Sequence, residues 1–81
     1  MKLWISNVSA AASDDDVLAL VHKYCGVTGS AVVREPGDGS RPVAIVDLSG
    51  CSVDQLYDFQ KRLDGMYWQG ATLSVQAVTN V

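Results

Sequence analysis

At 81 residues the chain has room for one small domain, residues 1–81, and a hydrophobic fraction of 48% against 19% charged is that of a packed globular protein rather than a disordered one. A net charge of −3 and a pI near 4.7 exclude attraction to nucleic acid by bulk electrostatics, since that affinity comes from Lys and Arg displacing counterions. Cys25 and Cys51 are the only cysteines, with no CxxC and a single histidine, which excludes a zinc site and a dense disulfide framework and leaves two reduced thiols as the expectation.

The chain opens on an alternating segment. From Lys2 to Val8, Leu3 and Ile5 fall on one face and Trp4 and Ser6 on the other, the pattern of a half-buried strand with Trp4 turned away from the core. Ser9 to Ala12 is a loop by composition. Ser13 followed by Asp14, Asp15 and Asp16 is a helix start, a hydroxyl N-cap with carboxylates in the first turn. The helix is predicted from about Asp14 to Tyr24, with Val17, Leu18, Leu20, Val21, Tyr24 and Cys25 along its apolar stripe and Gly26 at its end. Ser30 to Arg34 is a short β-branched strand, and Glu35 to Ser40 is a turn by composition.

Arg41 to Leu48 is an unbroken apolar run rich in β-branched residues, too short for a buried helix, and reads as a central strand. Ser52 with Gln55 three residues on makes a capping box for a second helix, whose apolar face is Val53, Leu56, Phe59 and Leu63 and which Gly65 terminates. Met66 to Gly70 reads as a loop carrying two bulky aromatics. Leu73, Val75 and Ala77 then alternate with Thr72, Ser74 and Gln76 as a last strand.

Strand, helix, strand, strand, helix, strand in one small domain is an α+β, ferredoxin-like βαββαβ arrangement, a four-stranded antiparallel sheet with both helices on one face. The other face is left open. Pairing the first and third strands at its centre sets Trp4 beside Val43 and Ile45 on that open face and turns Leu3, Ile5, Ala44, Val46 and Leu48 toward the helices. No apolar run approaches the length of a membrane-spanning helix, and Lys2 leads into an alternating segment rather than a secretory leader, so the expected location is cytoplasmic with no membrane partner.

Over nearly its whole length the chain resembles the RNA-recognition motif family. Leu3-Trp4-Ile5-Ser6-Asn7-Val8 is similar to that family's short motif of apolar, aromatic, apolar, any residue, Asn, apolar. The longer motif asks for a basic residue, Gly, an aromatic, Gly or Ala, an aromatic, an apolar residue, any residue and an aromatic. Arg41, Ala44 and Val46 match it, whereas Pro42 replaces the glycine, Val43 and Ile45 the two stacking aromatics, and Leu48 the last aromatic. Leu63-Asp64-Gly65 resembles the family's helix-ending Leu-Asn-Gly, and Gly70 to Val75 its entry to the last strand without the Arg.

The resemblance implies single-stranded RNA as partner, held weakly on the open face without a cofactor. Each base–aromatic stack is worth about 1–3 kcal/mol, so replacing two of three aromatics forfeits about 2–6 kcal/mol. Trp4 would stack one base, Val43 and Ile45 would support a second, and Arg34 and Arg41 would meet phosphates. Ser6, Asn7, Thr72 or Ser74 would supply polar contacts to base edges. The alternative occupant of this face is a protein, either a peptide or a second copy forming a homodimer. Met66, Tyr67 and Trp68 offer another protein-binding surface, because they stand where relatives specialised for protein ligands carry Arg-x-Phe to trap a partner's tryptophan. Those relatives also have an acidic first helix, as here. Packing of Tyr67 and Trp68 on the second helix is the competing reading.

The remaining candidates read structurally. Asp14, Asp15 and Asp16 diverge around a helix axis and read as capping rather than as a metal site. Gly37-Asp38-Gly39 is only a turn. His22 lies on the polar face of the first helix with no nucleophile placed by any motif, so no catalytic function is expected.

Overall fold

The computed structural model describes residues 1–35, 42–48 and 50–79. In chain order these form β1 (Lys2–Ser6), α1 (Asp14–Cys25), β2 (Ala31–Glu35), β3 (Val43–Asp47), α2 (Val53–Leu63), β4 (Tyr67–Trp68), β5 (Ala71–Thr72) and β6 (Ser74–Val78). The main sheet has four strands in the order β2-β3-β1-β6, every neighbouring pair antiparallel. The fold is therefore the α+β, ferredoxin-like arrangement expected from the order of elements, with β1 and β3 at the centre.

Each helix is fixed at its start by a reciprocal capping box. Ser13 accepts from the Asp16 N–H while the Asp16 carboxylate accepts from the Ser13 N–H, and Ser52 and Gln55 repeat the exchange at α2. Gly26 closes α1 with a left-handed φ of 72°, its N–H donating to the His22 carbonyl. Tyr24 and Val53, expected on the buried stripes, are exposed instead. Tyr24 is the last residue but one of α1, with the Lys23 ammonium 5.3 Å from its ring centre, and Val53 is the first residue of α2.

Leu3, Ile5, Ala44 and Val46 are wholly buried from the sheet side, and Val17, Leu20, Val21, Leu56, Phe59 and Leu63 meet them from the helices. No polar or charged residue is buried among the described residues. Burying each such aliphatic side chain contributes about 1.5–3 kcal/mol, so this one interface between helices and sheet carries the domain. Its consequence for function is the opposite face, which neither helix covers.

Residues 66–72 differ from the expected loop and continuous last strand. Gln69 and Gly70 both take positive φ, 48° and 82°, and close β4 and β5 into a small hairpin pairing Tyr67 with Thr72 and Trp68 with Ala71. Positive φ at both central residues is the two-residue turn that matches strand twist. Thr72 therefore belongs to this hairpin and not to the main sheet.

Candidate nucleic-acid interface

The strand register lays the open face out in three rows across β2, β3, β1 and β6. The middle row is Val33, Ile45, Trp4 and Gln76, flanked by Ala31, Asp47, Lys2 and Val78 on one side and by Glu35, Val43, Ser6 and Ser74 on the other. Trp4 is 42% exposed and Val33 53%, with Ile45 and Val43 half-buried. Together they make a shallow apolar strip centred on an indole. Of the residues expected here, Trp4, Ser6, Val43 and Ile45 are brought together, and Ser74 joins them opposite Ser6.

Arg34 is not with them. Its register partner is Ala44, on the helix side, so its side chain lies opposite the face from which it was expected to meet phosphates. There Nη1 donates to the Ala12 carbonyl at 2.9 Å and to the Asp14 carboxylate at 3.3 Å, and Nη2 to the Ser9 carbonyl at 3.5 Å. The guanidinium ties β2 to the loop before α1, with its side chain only 26% exposed. Arg41 lies outside the described residues.

Asn7 follows β1 with a positive φ of 67°, which Asn tolerates better than most residues, and its amide nitrogen donates to the Thr72 carbonyl at 2.8 Å. This side chain fastens the β4–β5 hairpin to the end of β1. Among the described strand residues of the open face, Lys2 is the one cation, set in register against Asp47 with Glu35 in the far row. The face is thus apolar at its centre and slightly acidic around it.

Val33 and Gln76 were missed in the sequence. Val32 and Val33 are both β-branched, so alternation alone did not say which of them faces outward; the pairing of Val33 with Ile45 does. Gln76 was legible as outward, but not as the neighbour of Trp4, because cross-strand register is a property of the folded sheet.

A second feature lies on the helix side. Asp16, Ala19, Leu20, Lys23 and Tyr24 of α1 face Trp68 and Gln69 across an open cleft of about 250 Å3. Trp68 is half-buried against the core and lines this cleft with α1, while Tyr67 is 73% exposed and Met66 packs against the core. The Asp16 carboxyl is held below its ordinary value of 3.8, first by the Ser13 backbone N–H, which outweighs the opposing effect of desolvation, with lesser help from the Gln69 and Ser13 side chains. Its contribution to stability is therefore present above the ordinary value and lost as pH falls through the lowered one. Burial pushes the Cys25 thiol up, partly offset by Arg62, and Cys25 and Cys51 are both free thiols. Among the described residues no group of His, Cys, Asp or Glu is placed to hold a metal, and no helix is long and apolar enough to cross a membrane.

No protein-family model matches the sequence, and no curated protein matches it. Among solved structures the chain is similar to the N-terminal three RNA binding domains of the yeast splicing factor Prp24, with a TM-score of 0.76 over 99% of this chain at 16% identity. The chain spans 31% of that structure's length. The likeness is one of fold.

Proposed function

We propose that this domain binds single-stranded RNA weakly through the open face of its sheet, stacking one base on Trp4 and resting a second on Val43 and Ile45. The observation that carries this reading is the half-exposed indole at the centre of an uncovered four-stranded sheet, flanked in register by Ile45 and Gln76. The likeness in fold to RNA binding domains of Prp24 supports RNA as the general class of ligand. Affinity is low because one aromatic does the stacking and one described cation borders it. Lys2 and, beyond the described residues, Arg41 are the groups for phosphates, and Ser6, in register with Val43 and Ser74, puts two hydroxyls beside the second base rather than the one on Trp4. The free thiols fit a reducing compartment, and we place the protein in the cytoplasm.

Trp4→Ala tests the reading. Loss of one stack is expected to weaken binding of a short single-stranded RNA about fivefold to a hundredfold, and Val43→Phe with Ile45→Phe to tighten it about fivefold or more. Equal affinity for all three proteins, each folded by circular dichroism, would remove RNA from this face.

The cleft between α1 and the β4–β5 hairpin favours a second reading, a protein-interaction module. Its aromatic walls, Tyr24 and Trp68, and the exposed Tyr67 would take an apolar side chain of a peptide. Under this reading Trp68→Ala abolishes peptide capture while Trp4→Ala leaves it unchanged.

A further inference from the structure

Gln76 stands directly across the strand boundary from Trp4, on β6, with its side chain exposed on the open face. Residues so opposed in an antiparallel pair have Cβ atoms about 4.5–5.5 Å apart, so the amide borders whatever lies on the indole. A base stacked there sits about 3.5 Å above the ring, and a group that reads its edge must rise to that height. The hydroxyls of Ser6 and Ser74 are too short to do so from one row away. Lys2 offers donors only, and Ile45, opposite Trp4 on its other flank, offers neither donor nor acceptor.

The other side-chain amides among the described residues are engaged, that of Gln69 with the Asp16 carboxylate. Asn7 donates to the Thr72 carbonyl, Gln60 accepts from the Ala77 N–H, and Gln55 completes the α2 capping box. Gln76 has no hydrogen-bond partner among the described residues, and its donor and acceptor are both available to a ligand.

We infer that Gln76 is the specificity-determining residue of the open face and that the base on Trp4 is adenine. The amide oxygen accepts from the exocyclic amino group while the amide nitrogen donates to the adjacent ring nitrogen, the two-bond pairing that Gln makes with adenine. Cytosine on a single strand offers the same amino group beside a ring nitrogen, and the fused rings of indole, which match the area of a purine better than that of a pyrimidine, select adenine over it. This inference rests on the RNA reading of the same face.

The test uses three labelled oligouridylates, one carrying a single central adenosine, one carrying purine riboside there, which stacks equally but lacks the amino group, and one all-uridine. Wild type is expected to bind the adenosine oligonucleotide about fivefold or more tighter than the purine riboside one. Gln76→Ala is expected to bind those two equally, and to bind the purine riboside oligonucleotide no tighter than wild type does, since the ring nitrogen that accepts from the amide is still present there. Gln76→Met, which keeps the length and removes the hydrogen bonds, runs in parallel and is expected to match Gln76→Ala. A wild type that binds RNA but treats the adenosine, purine riboside and all-uridine oligonucleotides alike, or Gln76 variants that retain the wild-type ratio, would overturn the inference alone. A wild type that binds none of the three would overturn the RNA reading and this inference with it.

Discussion

A methyl group on Gly29 would stand 2.7 Å from the Cγ1 of Val46 and 2.9 Å from the Cδ2 of Leu18, closer than side-chain carbons approach one another. Val46 is wholly buried at the centre of the sheet and has no free space to yield into. Gly29→Ala is therefore expected to cost about 1–3 kcal/mol of stability, the usual penalty of overpacking a closed site. The urea midpoint should fall with the slope unchanged, and a midpoint equal to wild type would show that the turn between α1 and β2 relaxes at no cost. Nothing in Thr28-Gly29-Ser30 announced this contact, since a glycine in a turn reads as a conformational need and its closeness to Val46 arises only from packing. Arg34 is the same lesson on a charged residue. Read alone it was a cation for phosphates, but its phase in β2 turned it toward the helices, where the Ser9 and Ala12 carbonyls receive it. Trp4 was legible as outward because Leu3 and Ile5 on either side of it left its strand only one face to bury.

The edge strand β6 shows how elements protect one another. Its outward N–H groups at Val75 and Ala77 donate to the Asp64 carboxylate at 2.9 Å and the Gln60 amide oxygen at 2.7 Å, both from the last turn of α2 and its C-cap. Open strand edges invite pairing with another chain, and here side chains of the preceding helix occupy those positions. Asp64→Ala leaves the Val75 N–H without its acceptor and should cost about 1 kcal/mol, with faster hydrogen exchange at that amide. Asp64→Asn, which keeps a carbonyl oxygen in place, should stay nearer to wild type, and equal exchange in all three would show that the contact contributes nothing. Most elements were readable from local chemistry, both helices from their caps and the strands from β-branched alternation. The β4–β5 hairpin was not, because its turn depends on a positive φ at Gln69, a residue type that seldom adopts one. With the hairpin went the proper place of Thr72.

At the scale of the whole molecule, charge and topology point to different kinds of ligand contact. The order of elements in the chain was enough to place β1 and β3 at the centre and leave one face bare, because short connections and two crossovers allow few other arrangements. What surrounds Trp4 was not readable, since the rows across the sheet depend on register between strands far apart in sequence. Those rows set Lys2 against Asp47, with Glu35 in the far row, on a chain of net charge −3, so under the proposed RNA reading phosphate attraction contributes little and stacking supplies the affinity. Each phosphate neutralised on a single strand adds about −0.7 to the slope of log K against log salt. With Lys2, and Arg41 beyond the described residues, as the groups for phosphates, that slope is expected between about −0.7 and −1.4. Titration of one oligonucleotide at several salt concentrations measures it. A slope steeper than about −3 would require a basic surface elsewhere on the protein, and the open sheet face would then be a bystander to RNA binding.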